Sequence, residues 1–480
     1  MSNHYPSYVA GLGDSGNHKE VTSPYDGSLI GTVSSVDEAG VDIALTNAYA
    51  IYRDRKRWLT GPRRIEILEK TADLMRARFD ELALEAAREG GKPLPDSIVE
   101  LERAIDGVLN CIECIRADAG KEIPMGINSA SMGHMAFTTK EPIGVVVAVS
   151  AFNHPLNLIV HQVCPAIASG CPFIIKPAGT TPITCMRFIG ILHEAGLPPE
   201  YGQAVVTNNS QTATKLVTDE RVGFFSFIGS AQVGWMLKSK LAPGVRCALE
   251  HGGVAPVIVE ADANLDEAAP LLAKGGFYHA GQVCVSVQRV FAHSSIARDL
   301  AERLATLGNA MKIGDPTNAD TEIGPLITED EVERVDEWVQ AAVNDGAELL
   351  SGGKKLDNNC YQATVLLDPP KDATISVNEI FGPVICVLSY DTTDAAIEQA
   401  NSLMFSFQAA VFTKDIDKAL YAYKNLDAAA VMVNTHTAFR VDWMPFAGLK
   451  HSGYGVGGIP YTFEEMQVDK LAVIRSPSLS

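Results

Sequence analysis

The chain has 480 residues, 46% hydrophobic and 20% charged, enough for more than one core, and its net charge of -19 argues against nucleic acid or an anionic membrane as partner. No apolar run reaches the ~18 residues that span a bilayer, and residues 1–16 lack a basic stretch followed by an apolar one. Nine cysteines at irregular spacing fit reduced thiols, so the expectation is a cytoplasmic protein.

Residues 1–35, rich in Gly, Ser and Asn, read as an arm laid over the body. Residues 36–58 and 63–88 have helical spacing, with Pro62 near the start of the second and Gly90, Gly91 and Pro93 ending it. Ser97 is expected to cap a helix reaching about residue 117, and 121–140 to form an exposed hairpin. From Ile143 strands alternate with helices: strands at 145–149, 172–176, 202–206 and 223–228, helices at 156–168, 182–195 and from Ala231. Such alternation implies an α/β fold, a parallel sheet with helices on both faces. A second series follows Glu250, with strand runs at 256–259, 285–292, 384–388, 409–412 and 430–433. Two α/β domains in tandem are the simplest account.

Chemistry centres on Cys284, which follows Gly281-Gln282-Val283 where a helix tail breaks. A thiolate is a reactive nucleophile, although free cysteine is most often a buried apolar residue. The strand at 223–228 ends in Gly229-Ser230 at a helix start, a place where backbone N–H groups meet a phosphate. Lys176 ends another strand of the same sheet, and nucleotides dock at such ends; a surface lysine is the alternative. Glu250, before His251-Gly252-Gly253, is either a general base or a solvated loop glutamate. Asn153, before His154-Pro155, is either an oxyanion donor or a helix N-cap. Three patterns are set aside: Gly13-Asp14-Ser15-Gly16 in the arm, Cys111 and Cys114 within a helix without a second pair at zinc spacing, and the idle sequon Asn208-Asn209-Ser210. No metal is expected.

Taken together, the pieces resemble the aldehyde dehydrogenase superfamily. The motifs run in that family's order: Phe152-Asn153-His154-Pro155, Lys176-Pro177-Ala178, Phe227-Ile228-Gly229-Ser230, Glu250-His251-Gly252-Gly253, Gly281-Gln282-Val283-Cys284, Asn378-Glu379-Ile380-Phe381-Gly382-Pro383, and Pro445-Phe446-Ala447-Gly448. The resemblance implies a Rossmann-like NAD(P)-binding domain (1–119 and 143–249), an α/β catalytic domain (250–448) and oligomerisation segments (120–142 and 460–480) that build a homodimer or homotetramer. It implies that Cys284 attacks an aldehyde, that Asn153 holds the oxyanion, and that Glu250 activates water to release the acid from a thioester. Lys176, Gly229, Ser230, Phe152, Glu379 and Phe381 would bind NAD or NADP.

Two departures from the family pattern stand out. The carboxylate that commonly binds the ribose 2′-hydroxyl is Gly179 here, which makes NADP usable, and the usual leucine after the base is His251. At the mouth, Arg103, His154 and Arg440 match substrate-lining positions and suit a small anionic or hydroxylated aldehyde. The segment 153–177 and the loop around Arg440 look most like the lactaldehyde, succinate-semialdehyde and phosphonoacetaldehyde dehydrogenase branches, although Val283 is not the arginine of the phosphonate-specific one. The rival readings are a CoA-acylating semialdehyde dehydrogenase, against which Glu250 argues, and a non-catalytic structural use of the fold.

Overall fold

The computed structural model describes residues 3–13 and 16–479; Asp14 and Ser15 of the set-aside arm pattern lie outside the described residues. A six-stranded sheet has the order Gly453–Tyr454, Arg246–Glu250, Val222–Ile228, Val145–Val149, Phe173–Lys176, Gly202–Ala204. Its strands pair in parallel except for the outermost, Gly453–Tyr454, which the C-terminal part of the chain adds antiparallel. Val145–Val149 is central and covered on both faces, so its sequence is continuously apolar rather than alternating. Its side chains still alternate in space. Val146 and Ala148 pack with the helix Asn157–Ser169, while Val145 and Val147 pack under the helix Glu38–Arg53.

The second sheet has seven strands, in the order Glu348–Ser351, Thr364–Leu367, Val384–Tyr390, Arg289–His293, Pro256–Val259, Gln408–Phe412, Ala430–Val433. Only its outermost pair is antiparallel. A third, antiparallel sheet joins Glu122–Ile123, His134–Pro142 and Gln467–Arg475, the last two in register from Gln467 opposite Pro142 to Arg475 opposite His134. No helix among the described residues is long and apolar enough to cross a membrane.

Several boundaries differ from the sequence expectation. Residues 63–88 form two helices, Gly61–Ala77 and Phe79–Gly90, broken where Arg78 leaves helical geometry (φ -116°, ψ 25°). Ser97 does not cap the next helix; that helix starts at Leu94 after Pro93, and the Ser97 hydroxyl donates to the Lys92 carbonyl. The strand expected from 285 begins only at Arg289. Val283 and Val285 belong instead to a small apolar cluster with Phe407 and Phe446, which accounts for their alternation. Asn209 of the sequon caps the helix Ser210–Thr218 through its side chain, and Cys111 is a core residue of its helix.

For function, the register matters most. Val149 lies opposite both Lys176 and Phe227, and Ile228 opposite Glu250, so four strand ends open level on one edge of the first sheet. Ligands of open α/β sheets bind at that edge.

Candidate active site

Cys284 is carried across this edge by an unusual turn. The helix Leu265–Phe277 gives way to a short 3-10 segment in which His279, Ala280 and Gly281 have φ of 51°, 52° and 69°. Left-handed geometry at two residues with a Cβ is costly and persists only where the surroundings enforce it. Gly281 is obligatory, since a Cβ there would sit 2.0 Å from the Gly382 carbonyl oxygen. Gln282 supplies the enforcement: its buried amide donates to the Pro325 carbonyl at 3.2 Å and accepts from Ile327 N–H at 3.0 Å. The Cys284 carbonyl then accepts from Gly253 N–H at 3.1 Å. The thiol is half-buried and borders a cavity of about 780 Å³. Burial pushes it up to about 12, against the opposing effect of Arg440 and with Glu379 and Glu250 adding to the rise.

Asn153 is not the helix N-cap, the alternative to its oxyanion reading. The following helix starts at Asn157 with Leu156 at its N-cap position, and the Asn153 amide instead donates to the Gln282 carbonyl at 2.9 Å. Capping belongs to Glu100, whose Oε1 accepts from Leu156 and Asn157 N–H, both at 2.9 Å. Although burial works against it, the neighbouring Lys92 and His154 hold the Glu100 carboxyl well below the usual range. His154 borders the cavity, but its Nδ1 is hydrogen-bonded to Lys92, and burial together with Lys92 lowers it to about 4. It is therefore a neutral ring.

Glu250 ends its strand with its carboxylate toward Gly457, where a Cβ would lie 2.0 Å from Oε1. Burial raises its pKa, Arg440 opposes the rise and Glu465 adds to it. Next to it His251 is buried, with Nδ1 2.8 Å from the Gly229 carbonyl. A carbonyl only accepts, so Nδ1 carries the proton, and the ring braces the turn at Gly229-Ser230 from beneath.

The residues expected to hold a dinucleotide fit one. Glu379 has a buried Oε1 without a hydrogen-bond partner, and a Cβ at Gly252 would fall 1.9 Å from it, so glycine is what admits that carboxylate. Burial raises Glu379 to about 8, with the nearby Gly253 N–H and the Arg334 charge opposing the rise. An orphaned carboxylate at a strand-end crevice suits the hydroxyls of a ribose. Phe152 and Phe381 pack edge-to-face at 5.9 Å between centroids, and both line the cavity with Gly229 and Ser230. Lys176 does not line it; Ala178 does.

The expected cationic mouth is reduced to one residue. Arg103 lines the cavity, but its Nε and Nη2 reach the two carboxylate oxygens of Asp442 at 3.0 and 2.7 Å. His154 is tied to Lys92. Arg440 differs: it stacks on Phe446, with Cζ 3.5 Å from the ring centroid, its Nε is buried without a partner, and Nη2 lies 3.4 Å from His161 Nδ1. It has no ion pair within 4.0 Å among the described residues, in a cavity shared with Cys284 and Glu250.

The Aldehyde dehydrogenase family model matches residues 12–471. The chain belongs to the aldehyde dehydrogenase family. It is 35% identical, over 98% of each chain, to a 3-sulfolactaldehyde dehydrogenase of Priestia aryabhattai. Among solved structures, aldehyde dehydrogenase 21 of Physcomitrella patens, in complex with the reaction product succinate, superposes with a TM-score of 0.95 at 33% identity over 99% of both chains. A glyceraldehyde-3-phosphate dehydrogenase of Methanocaldococcus jannaschii, complexed with NADP, superposes with a TM-score of 0.91 at 32% identity, covering 95% of this chain and 99% of that one.

Within this aldehyde dehydrogenase, sequence reasoning missed several site residues. Arg334 and Trp338 line the cavity from one helix, Glu329–Asn344, with the Arg334 guanidinium 4.8 Å from the Trp338 ring centroid. Their four-residue spacing was the one available signal. Lys92, Glu100 and Asp442, which fix the mouth, carry no local signature.

Proposed function

We propose that this enzyme oxidises a small aldehyde bearing a distal anionic group to the carboxylic acid, using NAD or NADP. The observation that carries the reading is Arg440, a half-buried guanidinium with a buried, unpartnered Nε and no carboxylate within 4.0 Å among the described residues, in the same cavity as Cys284. A partly desolvated cation without a counter-ion is unfavourable, and a carboxylate, sulfonate or phosphate on the substrate would supply one. The sulfolactaldehyde substrate named for the Priestia relative and the succinate product bound by the moss enzyme support this charge class.

In the proposed reaction Cys284 gives its proton to water and its sulfur adds to the aldehyde carbon, so the C–S bond forms as the C=O π bond breaks and leaves a negative oxygen. The Asn153 amide donates to that oxygen. A bound nicotinamide would supply the acceptor for the hydride that leaves the aldehyde carbon as its C=O bond re-forms. Cys284 then carries a thioester, and Glu250 takes a proton from water as the water attacks it, so the C–S bond breaks and the thiol returns. The raised pKa of Glu250 suits a base working near neutral pH. The proposed division of labour follows the sheets: the six-stranded sheet binds the cofactor, the seven-stranded sheet carries Cys284, and the three-stranded sheet joins subunits. Steady-state rates for sulfonated, carboxylated and plain aldehydes, compared between wild type and Arg440→Ala, test the charge reading.

A further inference from the structure

We infer that Lys19, contributed by the N-terminal arm, is a cofactor-specificity residue that, with Lys176, receives the 2′-phosphate of NADP. The inference rests on the strand-end crevice being the dinucleotide site. In that fold an acidic side chain after the second strand accepts from the ribose 2′-hydroxyl and repels a phosphate. Here that position is Gly179, and the arm strand His18–Thr22 brings Lys19 over it. Lys19 Nζ donates to the Gly179 carbonyl at 2.8 Å. A Cβ on Gly179 would lie 3.0 Å from that nitrogen, so a side chain at 179 would displace the ammonium.

Lys176 adds a second positive charge. Its Nζ bonds only the neighbouring Pro177 carbonyl, at 3.1 Å, and after burial itself the Lys19 charge is what most disfavours its protonated form. Neither lysine has a carboxylate within 4.0 Å among the described residues. Two of the nearby acids are engaged elsewhere: both Glu89 oxygens accept from Ile183 and Thr184, and Asp26 is folded onto Ser28, while Glu20 and Glu329 line the cavity beside Lys19 without an ion pair to either lysine. Lys19 and Gly179 border a cavity of about 580 Å³ lined also by Thr22 and Thr180, so there is room beside them. Two ammonium groups that act on one another, with no ion pair of their own, suit a dianion.

The test is equilibrium titration of NADPH and NADH fluorescence, with 2′,5′-ADP as a competitor, on wild type, Lys19→Ala and Gly179→Glu. The expected result is tighter NADPH binding by wild type. Lys19→Ala should weaken NADPH and 2′,5′-ADP by about 10–100-fold and leave NADH within about twofold, as for loss of a charge-assisted contact. Gly179→Glu should reverse the preference. Equal effects of Lys19→Ala on both nucleotides, or none on either, would overturn the role of Lys19. Failure of wild type to bind either nucleotide would overturn the crevice reading itself. Lys19 is exposed, so an unchanged melting temperature in Lys19→Ala separates ligand loss from misfolding.

Discussion

The Asn153 amide and the Gln282 carbonyl are joined by a 2.9 Å hydrogen bond, which ties the loop after one central strand to the turn that presents Cys284. The bond holds the Asn153 side chain against the turn that carries Cys284. Asn153→Ala should lower kcat by about 10²–10³-fold with KM changed far less, the usual cost of losing one oxyanion donor. Pre-steady-state kinetics would place the loss before thioester formation. A kcat within severalfold of wild type would remove Asn153 from the oxyanion site.

Burial holds the Cys284 thiol protonated at neutral pH, pushed up to about 12. Alkylation by iodoacetamide should therefore be slow at pH 7 in the absence of cofactor and rise about tenfold per pH unit, since only the thiolate reacts. Arg440 is the main group opposing the rise, so Arg440→Ala should slow alkylation at every pH below the thiol's own value. Mass spectrometry of the Cys284 peptide reads both effects.

Glu250 loses its proton above the ordinary carboxylate range because it is buried. As the proposed base, Glu250 acts only when deprotonated, so kcat should rise with pH along a limb displaced upward from 4.5. Glu250→Gln should abolish that limb and give a burst of reduced nucleotide, one per active site, followed by slow turnover. No CoA should be required for acid release by wild type.

His251 is placed to hold the Gly229-Ser230 turn through its Nδ1–H. Replacing it by leucine removes one hydrogen bond of about 0.5–1.5 kcal/mol, so KM for the nucleotide should rise severalfold while kcat is nearly kept. Burial depresses its pKa below 6.5. Stability from the neutral ring is complete above that value and is lost as pH falls toward the folded-state value. Melting temperatures should show a shallower acid slope in His251→Leu than in wild type.

The edge strand Gln467–Arg475 exposes Leu471 at 54% and Val473 at 53% on one face. An uncovered apolar edge strand is normally paired with another chain. Light scattering should give a dimer or tetramer mass, and a Leu471→Glu, Val473→Glu double variant should shift it toward the monomer with the fold intact.

Much of this fold was legible from sequence because its signals are local. The run Val145–Val149 is apolar throughout because both faces are covered, and helix starts at Pro182 and Ala231 stand where the pattern puts them. Local patterns failed where tertiary packing produced the same signature. The break at Arg78 has no glycine or proline to mark it, and the alternation around Cys284 serves a side-chain cluster rather than a sheet. That Cys284, Glu250 and Asn153 line one cavity was expected from residue type and neighbours. The state of the mouth was not, because Arg103 is neutralised by Asp442, 339 residues away, and His154 by Lys92, 62 residues away.

The central claim, that Arg440 recognises a distal anion, is tested most directly by kcat/KM for a sulfonated or carboxylated aldehyde against an uncharged one of similar size, in wild type and Arg440→Ala. Wild type should favour the anionic substrate. The variant should lose about 10–100-fold on it, as for a charge-assisted hydrogen bond, and far less on the neutral one. Equal losses on both substrates, or no preference in wild type, would contradict the assignment and leave Arg440 as a structural residue.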